Sequence, residues 1–515
     1  MRATNLPGHP GVYPIVAPHP WPLACAPPAR CDGAMDRPWT IDPHRRSRLA
    51  RIIEALAAAG HTARLCGGGV RDRLLGQEPA DDDLACDAPP EQMVMALERA
   101  RIRTVPTGIA HGTVTAIVEG EGFEITTLRR ELATFGRHAE VAFRDVAWEE
   151  DAQRRDFTIN ALYADLDGRI YDPVGGLADL DEGWVRFVGE PAARIKEDFL
   201  RILRLFRFHA RFGRHPLDEA TLAAVRQWAP YLTHLSHERV GHEWWGLLAT
   251  ARPRAALEAM AANGVLAVIL PEIGAMPAEP QQNLYHDRDC RLHSWHCLVA
   301  LGAMEEGRYA RIGPSGEIDP DHTVACAPLP RDPLLRHLAL SHDLAKPLCH
   351  KRDGTRDRFL GHDRVGAEMI ARQLRRLCRP KGEQEVARAV IRHHLYLLKN
   401  DDLYLHRRLY RRVGAARFAL LLALALADGA AMQPHVWERC ARTLLPLRDT
   451  FPTWDAPPPM PVGGGDLLTL GVAPGPTMGK LLACLRAWWE AEEPPPDRDR
   501  CLAWVRDRLA NEENR

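Results

Sequence analysis

The chain has 515 residues, and at roughly 150 residues per domain this length predicts three or four domains rather than one core. With 46% hydrophobic and 26% charged residues, the composition excludes a fibrous or largely disordered chain. The formal net charge of -1 means that any binding to nucleic acid must depend on local basic patches. No apolar run reaches the roughly 18 residues of a transmembrane helix, so we expect no membrane partner.

The twelve cysteines are scattered and form no C-x-x-C pair, which argues against a zinc ribbon or a disulfide framework. We therefore expect reduced thiols and a cytoplasmic protein. The oligomeric state is not legible from the sequence.

Residues 1–38 are crowded with proline and lack any helical or strand periodicity, which predicts a disordered extension and leaves Met35 as an alternative start. A helix is expected over "RRSRLARIIEALAAAG", followed by a strand "TARLC" that runs into three glycines. Two more strands follow at "GTVTAIVEG" and "FEITTLRR", and then a charged stretch from Glu131 to Asp151 that is typical of a mobile loop. Beyond Gly168 the pattern becomes helical.

The segment "GGGVRDRLLGQEPADDD" contains three consecutive glycines and three consecutive aspartates. Asp81 and Asp83 lie two residues apart, so in an extended segment both carboxylates face one side and suit a Mg2+ site. Glu124 on a neighbouring strand is a candidate third carboxylate. The plainer alternative is a solvated acidic turn, together with an ordinary exposed glutamate.

The neighbouring glycines favour a phosphate-binding and Mg2+ site over a solvated acidic turn. Gly67 and Gly68 allow backbone N–H groups to approach phosphate oxygens, and Arg71 follows on the predicted helix start. A triphosphate beside a cation explains why glycines and aspartates stand together.

Two further segments add charged residues. In "RRDFTIN", Arg155 suits a triphosphate, while Asp156 and Asn160 suit either ribose hydroxyls or internal support of the loop. In "EDFLRILRLFRF", a predicted helix carries charged residues three apart, and the row drifts by about 60° per step, so its members cannot all meet one point. The charged residues of this row are Asp198, Arg201, Arg204 and Arg207. The first two suit contacts to the edge of a base, and the last two suit contacts to phosphates or support of the helix.

Together, "GGGVRDRLLG…DDD", "RRDFTINA" and "EDFLRILRLFRF" resemble the class II tRNA nucleotidyltransferases, or CCA-adding enzymes, and their poly(A) polymerase relatives. The resemblance implies an α+β chain: a polymerase-β-type nucleotidyltransferase head of about five strands, followed by an all-α neck, body and tail. It implies Mg2+ at Asp81 and Asp83, and triphosphate contacts from Gly68, Arg71 and Arg155. It also implies a protein template in which Asp198 and Arg201 imitate Watson–Crick partners for ATP and CTP.

The helical half contains "LALSHDLAKPLCH", which resembles the HD phosphohydrolase superfamily. The resemblance implies a metal set of one histidine, a His–Asp pair and a distant aspartate, with two more histidines in two-metal members. The candidates are His296, His342, Asp343, His362, His394 and Asp428. Mixed imidazole and carboxylate ligands suit Mn, Fe, Ni, Co or Zn. His393 competes with His394, because adjacent helical residues point about 100° apart.

We expect the following division: an extension at 1–38, a nucleotidyltransferase head at 39–168, a helical neck and body at 169–280, an HD domain at 281–445, and a linker with a small tail at 446–515. The predicted function is addition of C, C and then A to tRNA 3′ ends from CTP and ATP. The alternatives are A-only addition, poly(A) synthesis, or an HD phosphohydrolase acting on RNA ends or nucleotides. Basic residues of the neck and body are expected to contact RNA phosphates: Arg211, Arg214 and Arg252.

Overall fold

The structure is a computed structural model of the 515-residue chain. It describes residues 39–108, 112–135, 138–143, 145–276, 289–354, 356–454, 460–489, 492 and 496–513. The extension at 1–38 and the alternative start at Met35 lie outside these residues.

The helices, in chain order, are α1 (Pro43–Ala58), α2 (Gly68–Leu74), α3 (Pro90–Arg99), α4 (Trp148–Gln153), α5 (Gly176–Glu182), α6 (Pro191–Glu197), α7 (Leu200–Phe212), α8 (Glu219–Trp228), α9 (His237–Leu248), α10 (Arg254–Ala262), α11 (Val265–Ile269), α12 (Pro271–Gly274), α13 (Cys290–Glu305), α14 (Pro333–Ser341), α15 (Lys346–Cys349), α16 (His362–Arg376), α17 (Lys381–Lys399), α18 (Leu403–Val413), α19 (Ala415–Ala430), α20 (Pro434–Thr443), α21 (Leu447–Thr450), α22 (Gly464–Thr469), α23 (Pro476–Trp489) and α24 (Arg498–Glu513). None of the described helices is long and apolar enough to cross a membrane.

The strands are β1 (Ala63–Cys66), β2 (Leu84–Cys86), β3 (Arg103–Gly108), β4 (Thr113–Val118), β5 (Glu121–Thr127), β6 (Arg130–Phe135), β7 (His138–Ala142), β8 (Tyr163–Ala164), β9 (Ile170–Tyr171), β10 (Arg308–Ile312), β11 (Ile318–Ala325), β12 (Lys351–Asp353) and β13 (Arg356–Arg358). Seven of them form one sheet in the order β3-β4-β5-β2-β1-β8-β9. The head is thus the expected mixed α/β unit, with a wider sheet than the five or so strands predicted.

Strands β2 and β5 hold the candidate carboxylates side by side. They pair in parallel, with Leu84 opposite Ile125. The residues immediately before this pair, Asp83 and Glu124, therefore lie next to each other on the same face of the sheet.

The stretch from Glu131 to Asp151, which we expected to be a loop, contains the β6–β7 hairpin and helix α4. The sequence pattern was misread because the apolar residues of this stretch are interspersed with charged ones and form no long apolar run.

The charged row in "EDFLRILRLFRF" does not lie on one helix. Helix α6 ends at Glu197, and Asp198 has extended backbone angles (φ −151°, ψ 108°) before α7 begins at Leu200. The Asp198 carboxylate accepts the Leu200 N–H at 3.0 Å, which holds the break in place. The expectation of a single continuous helix was wrong, and the break separates Asp198 from the arginines of α7.

Helix α7 buries an apolar face formed by Ile202, Leu203, Leu205 and Phe206 and packs against α9 and α10. Its arginines lie on the other side because the apolar residues recur with the helical period. One core of buried residues continues from the head through the neck into the helical bundle around α13, α17 and α19. The tail, α22–α24, has a core of its own.

Two short hairpins interrupt this helical half. The larger one, β10–β11, is formed by the Gly/Pro/Asp-rich insert between α13 and α14. It is anchored by the fully buried Tyr309, which stacks on Trp437 with ring centroids 5.8 Å apart.

Candidate functional site

A cleft of about 480 Å³ lies between the glycine turn of the head and the start of α7. Every residue that the sequence analysis selected for nucleotide binding lines it: Gly67, Gly68, Arg71, Arg155, Asp156, Asn160, Asp198, Arg201, Arg204 and Arg207. The lining contains eight arginines and three aspartates. This excess of positive charge in a concave site favours a polyanionic ligand.

The glycine turn forms one wall of the cleft. Gly67 has φ +68°, a conformation that favours glycine, and its N–H donates to the Leu162 carbonyl at 3.0 Å. A Cβ at this position would lie 3.1 Å from Nη1 of Arg155. The turn therefore brings the backbone of Gly67 so close to the guanidinium of Arg155 that a side chain at this position would crowd it.

Arg155 is anchored from behind by a buried carboxylate. Its guanidinium contacts Oδ2 of Asp151 at 3.3 Å, and the hydroxyl of Tyr163 donates to the same oxygen at 2.7 Å. Asp151 also accepts from Nε of Arg154 at 2.7 Å. Although burial opposes ionisation, Arg154 and Arg155 keep the pKa of Asp151 below its ordinary value.

Asp156 and Asn160 make contacts that support the cleft internally. Asp156 accepts from Nε of Arg204 at 2.7 Å and from Nδ2 of Asn160 at 3.1 Å. Asn160 in turn accepts from Arg71. Burial opposes ionisation of Asp156, but Arg204 outweighs it and lowers the pKa of that carboxyl. The network fixes two arginines of the cleft relative to each other.

Asp198 projects from the break before α7 and is held by an arginine that the sequence analysis did not select. Nη2 of Arg239, on α9, donates to Oδ2 of Asp198 at 2.6 Å. Arg201 pairs with Glu197 and donates to the Arg194 carbonyl at 2.9 Å. Both candidate base-reading groups therefore have fixed positions at the cleft wall.

The two later arginines of the row are braced by Glu243 of α9, which is buried. Nε of Arg207 lies 2.6 Å from Oε2 of Glu243, and Nη1 of Arg204 lies 4.0 Å from Oε1. Helix α9 thus holds the cleft-lining side chains in place, with Glu243 contacting the arginines of α7 and Arg239 contacting Asp198.

The three consecutive aspartates divide into two roles. Asp82 is buried and forms ion pairs with Arg73 and Arg45. Asp81 and Asp83 are exposed and face away from it, in the segment immediately before β2. Asp81 and Asp83 were expected from the sequence to share one side, because side chains two apart in an extended segment point the same way.

The carboxylates of Asp83, Glu124 and Asp81 are close enough to influence each other. Desolvation, then Glu124, then Asp81 raise the pKa of Asp83 above its ordinary value. These are hard oxygen donors with mutual repulsion, which a divalent cation relieves. The fit to Mg2+ rests on this donor chemistry.

The helical half contains a second, fully buried centre. Two groups of side chains each bring their potential ligand atoms within 4.8 Å of one another: His293, Cys297, His342 and Asp428 in one, and Asp343, His362 and His394 in the other. Nε2 of His362 lies 3.5 Å from Oδ1 of Asp343, and Nε2 of His342 lies 3.3 Å from Oδ2 of the same residue. Asp343 thus joins the two groups.

Three imidazoles of this centre are oriented identically. The Nδ1 atoms of His342, His362 and His394 lie 2.9, 2.7 and 2.7 Å from backbone carbonyls. Their Nε2 atoms are buried without a hydrogen-bond partner. Nδ1 donation to a carbonyl turns Nε2 of each ring towards the centre, where a bound cation takes the place of any Nε2 proton, and this is the arrangement of metal-binding histidines.

The electrostatics of the centre favour positive charge. Burial opposes protonation of His342, but Asp343 and Asp428 outweigh it and raise its pKa to about 9. Burial and then His342 lower the pKa of His394 to about 4. Lys346 adds a buried ammonium 2.7 Å from Asp343. Buried carboxylates that attract cations in this way suit a divalent metal.

One predicted member does not join this centre. His296 is buried but belongs to neither group, and His293, one turn earlier on α13, occupies the expected position with Nε2 2.9 Å from Oδ1 of Asp428. The rotation of α13 against α19 turns His293 towards the centre. The competition between His393 and His394 is resolved in favour of His394.

Side chains of these sites that were not expected from the sequence include Asp151, Arg239, Glu243, His293 and Cys297. One signal was available for Asp151, since its spacing of four from Arg155 predicts a helical ion pair. The others depend on how α9 and α13 pack, which no local pattern encodes.

The candidate RNA-contacting arginines lie on the neck. Arg211 lines the cleft and donates to Asp72 at 3.1 Å, and Arg214 donates to the Asp181 carbonyl at 3.1 Å. Arg252 is exposed.

Comparison with known families identifies three regions of the chain. Residues 63–186 match the family described as the poly A polymerase head domain, and residues 216–276 match the probable RNA and SrmB-binding site of polymerase A. Residues 315–432 match the HD domain family. The glycine turn and Arg155 of the cleft lie within the residues that match the head domain, and Arg239 lies within those that match the RNA-binding region. Five members of the buried centre lie within the residues that match the HD domain: His342, Asp343, His362, His394 and Asp428.

Among curated relatives, the chain is 45% identical over 195 residues to the mitochondrial CCA tRNA nucleotidyltransferase 1 of Mus musculus, which covers 37% of this chain and 45% of that protein. It is 38% identical over 268 residues to the CCA-adding enzyme of Streptococcus gordonii, covering 51% of this chain and 65% of that protein. The matches thus span about half to two thirds of these relatives.

Among solved structures, the chain is similar to the CCA-adding enzyme of Bacillus stearothermophilus in complex with CTP, with 25% identity and a TM-score of 0.59 over 92% of this chain and all of that one. The Thermotoga maritima CCA-adding enzyme complexed with tRNA is 19% identical, with a TM-score of 0.53 over 92% of this chain and 97% of that one, and shows a shared fold.

Proposed function

We propose that this protein adds C, C and A to the 3′ ends of tRNA without a nucleic-acid template, using CTP and ATP and releasing pyrophosphate. The observation that carries the proposal is the convergence, in one arginine-rich cleft, of ten residues taken from three separated segments. The relatives named as CCA-adding enzymes support the same activity.

In the proposed reaction the tRNA 3′-hydroxyl attacks the α-phosphorus of the bound nucleotide. The new bond joins the 3′-oxygen to that phosphorus, and the bond to the β-phosphate oxygen breaks. The triphosphate is bound by Gly68, Arg71 and Arg155. The two arginines also stabilise the negative charge that develops on the leaving pyrophosphate. Asp81 and Asp83, with Glu124 beside them, would hold Mg2+, which neutralises phosphate charge and lowers the pKa of the attacking hydroxyl.

Base choice is assigned to Asp198 and Arg201. A carboxylate accepts from the exocyclic amine of C or A, and a guanidinium donates to ring acceptors, whereas U and G present the opposite pattern. Arg239 supports this role because it fixes the Asp198 carboxylate at 2.6 Å. The tRNA backbone is assigned to the neck and body, including Arg211, Arg214 and Arg252, through phosphates.

The HD domain is proposed to bind a transition metal, such as Mn, Fe, Ni, Co or Zn. Three buried Nε2 atoms without partners support this choice over Mg2+. We also propose a reducing, cytoplasmic location, which is supported by the absence of disulfides among the described cysteines. The boundaries 39–168, 169–280, 281–445 and 446–515 are retained as the proposed domains.

The test is incorporation of labelled CTP and ATP, separately and together, into tRNAs that end at the discriminator base, at C and at CC. Ordered addition of C, C and A is expected, with loss in the Asp81→Ala/Asp83→Ala variant. A matched control, His342→Ala/Asp343→Ala, removes HD ligands and is expected to leave addition intact. Addition of A alone to the CC-ending tRNA would contradict the proposal and indicate an A-adding enzyme. Synthesis of long A tails would contradict it and indicate a poly(A) polymerase.

Selectivity has its own test. Asp198→Ala is expected to raise UTP and GTP incorporation relative to CTP and ATP while Mg2+ dependence is unchanged. Full retention of C and A selectivity would contradict the protein-template role.

A further inference from the structure

Cys297 lies in the HD centre although no cysteine was expected there. It is on α13, fully buried, and its Sγ is 3.6 Å from Nε2 of His293. The potential ligand atoms of Cys297, His293, His342 and Asp428 all lie within 4.8 Å of one another.

Local geometry places the thiol on the ligand face of its helix. His293 and Cys297 are four residues apart on α13, so their side chains lie on the same side, one turn from each other. Asp428 approaches from α19, with Oδ1 2.9 Å from Nε2 of His293. His342 follows the end of α14 and presents a buried Nε2 without a hydrogen-bond partner.

The sulfur–nitrogen distance between Cys297 and His293 fits tetrahedral coordination. With metal–sulfur and metal–nitrogen bonds of about 2.3 and 2.05 Å at the tetrahedral angle, the sulfur and nitrogen ligands lie roughly 3.5 Å apart. The observed Sγ to Nε2 distance is 3.6 Å. The His293–Asp428 pair needs to open by about half an ångström to reach the corresponding nitrogen–oxygen separation.

We propose that Cys297 is a metal ligand that acts together with His293, His342 and Asp428. This inference rests on the proposed metal binding of the HD domain. Binding converts the thiol to a thiolate, forms one metal–sulfur bond and releases one proton to solvent. Asp343 adjoins this group, since its Oδ2 lies 3.3 Å from Nε2 of His342, and it also belongs to the second group with His362 and His394.

A consequence for the choice of metal follows from a cysteine ligand. Thiolate ligation selects Zn2+, Co2+ or Fe2+ and disfavours Mg2+ and Mn2+ at this position.

The test is Co2+ titration of the full-length protein after removal of bound metal, followed by absorption spectroscopy. A near-ultraviolet thiolate-to-cobalt charge-transfer band is expected in the unmodified protein and in Cys290→Ser, and its loss is expected in Cys297→Ser. Cys290 is the matched control, since it is buried on the same helix but outside the ligand group. We expect metal affinity of Cys297→Ser to fall by more than the roughly 10–100-fold typical of residues that only support a ligand.

A second measurement uses the unmodified protein and so does not depend on the folding of a variant. Bound Zn2+ is expected to show a zinc–sulfur distance of about 2.3 Å in X-ray absorption spectra, a distance that nitrogen and oxygen ligands do not give. Cobalt binding with visible ligand-field bands but no charge-transfer band would overturn the cysteine ligand alone. No binding of Co2+ or Zn2+ would overturn the proposed metal role of the domain as well.

Discussion

Two of the three consecutive aspartates, Asp82 and Asp83, are predicted to respond in opposite ways when each is replaced by asparagine. Asp82→Asn removes the charge from a buried carboxylate that pairs with Arg73 and Arg45. Breaking such a buried pair costs about 3–5 kcal/mol, because the partner guanidinium remains desolvated. For a domain of this size the corresponding fall in melting temperature is about 6–20 °C.

Asp83→Asn is predicted to stabilise the metal-free protein while abolishing nucleotide addition. The pKa of Asp83 is raised in the fold by desolvation, Glu124 and Asp81. Stability linked to a raised pKa is present below the ordinary carboxyl pKa and is lost as the pH rises through the folded-state value. At neutral pH the ionised group is therefore unfavourable, and the amide removes that cost.

The assay is thermal unfolding in EDTA and in excess Mg2+ at pH 7 and at pH 4, combined with CTP incorporation. In EDTA at pH 7 we expect Asp82→Asn to melt lower than the unmodified protein and Asp83→Asn to melt higher. The advantage of Asp83→Asn should shrink at pH 4 and in Mg2+. If Asp83→Asn melted lower in EDTA or kept its activity, the assignment of this carboxylate to a cation site would be refuted.

Two further predictions concern the glycine turn and the arginine wall of the cleft. Gly67→Ala imposes φ +68° on a residue with a Cβ, costs about 1–2 kcal/mol of stability and pushes Arg155 from its place, so Kd for CTP should rise. Gly60→Ala, with φ +87° and open space around it, is the matched control and should lose stability without affecting CTP binding; equal effects on CTP binding would contradict the role of the turn. Asp151→Asn weakens the charge-assisted anchoring of Arg155 and should lower kcat/KM for CTP and ATP equally, by about 10–150-fold for a loss of roughly 1.5–3 kcal/mol. The neighbouring Glu150→Gln affects an exposed pair with Arg130 and a contact with the Ala147 N–H at the start of α4, and it should leave kcat/KM unchanged; a loss confined to one nucleotide in Asp151→Asn would show that this residue acts on base choice instead.

Local sequence was sufficient for most of the nucleotide cleft. The glycine turn and the arginine motifs identified the ten nucleotide-binding candidates that line it, whereas Arg154 and Arg239, which also line it, were not identified. Such prediction works because glycine at positive φ, alternation along extended backbone and charge type are local properties. The mixed α/β head and the helical half followed from hydrophobic periodicity in the same way.

Tertiary packing decided the features that no single segment contains. The sequence marked the HD region as histidine-rich, but only the rotation of α13 against α19 turned His293 and Cys297, rather than His296, towards Asp428. Likewise, Arg239 reaches Asp198 only because α9 packs on α7 and α6 ends one residue before Asp198. The direction of a side chain on a buried helix is set by the neighbours that the helix packs against, and those neighbours lie far away along the chain.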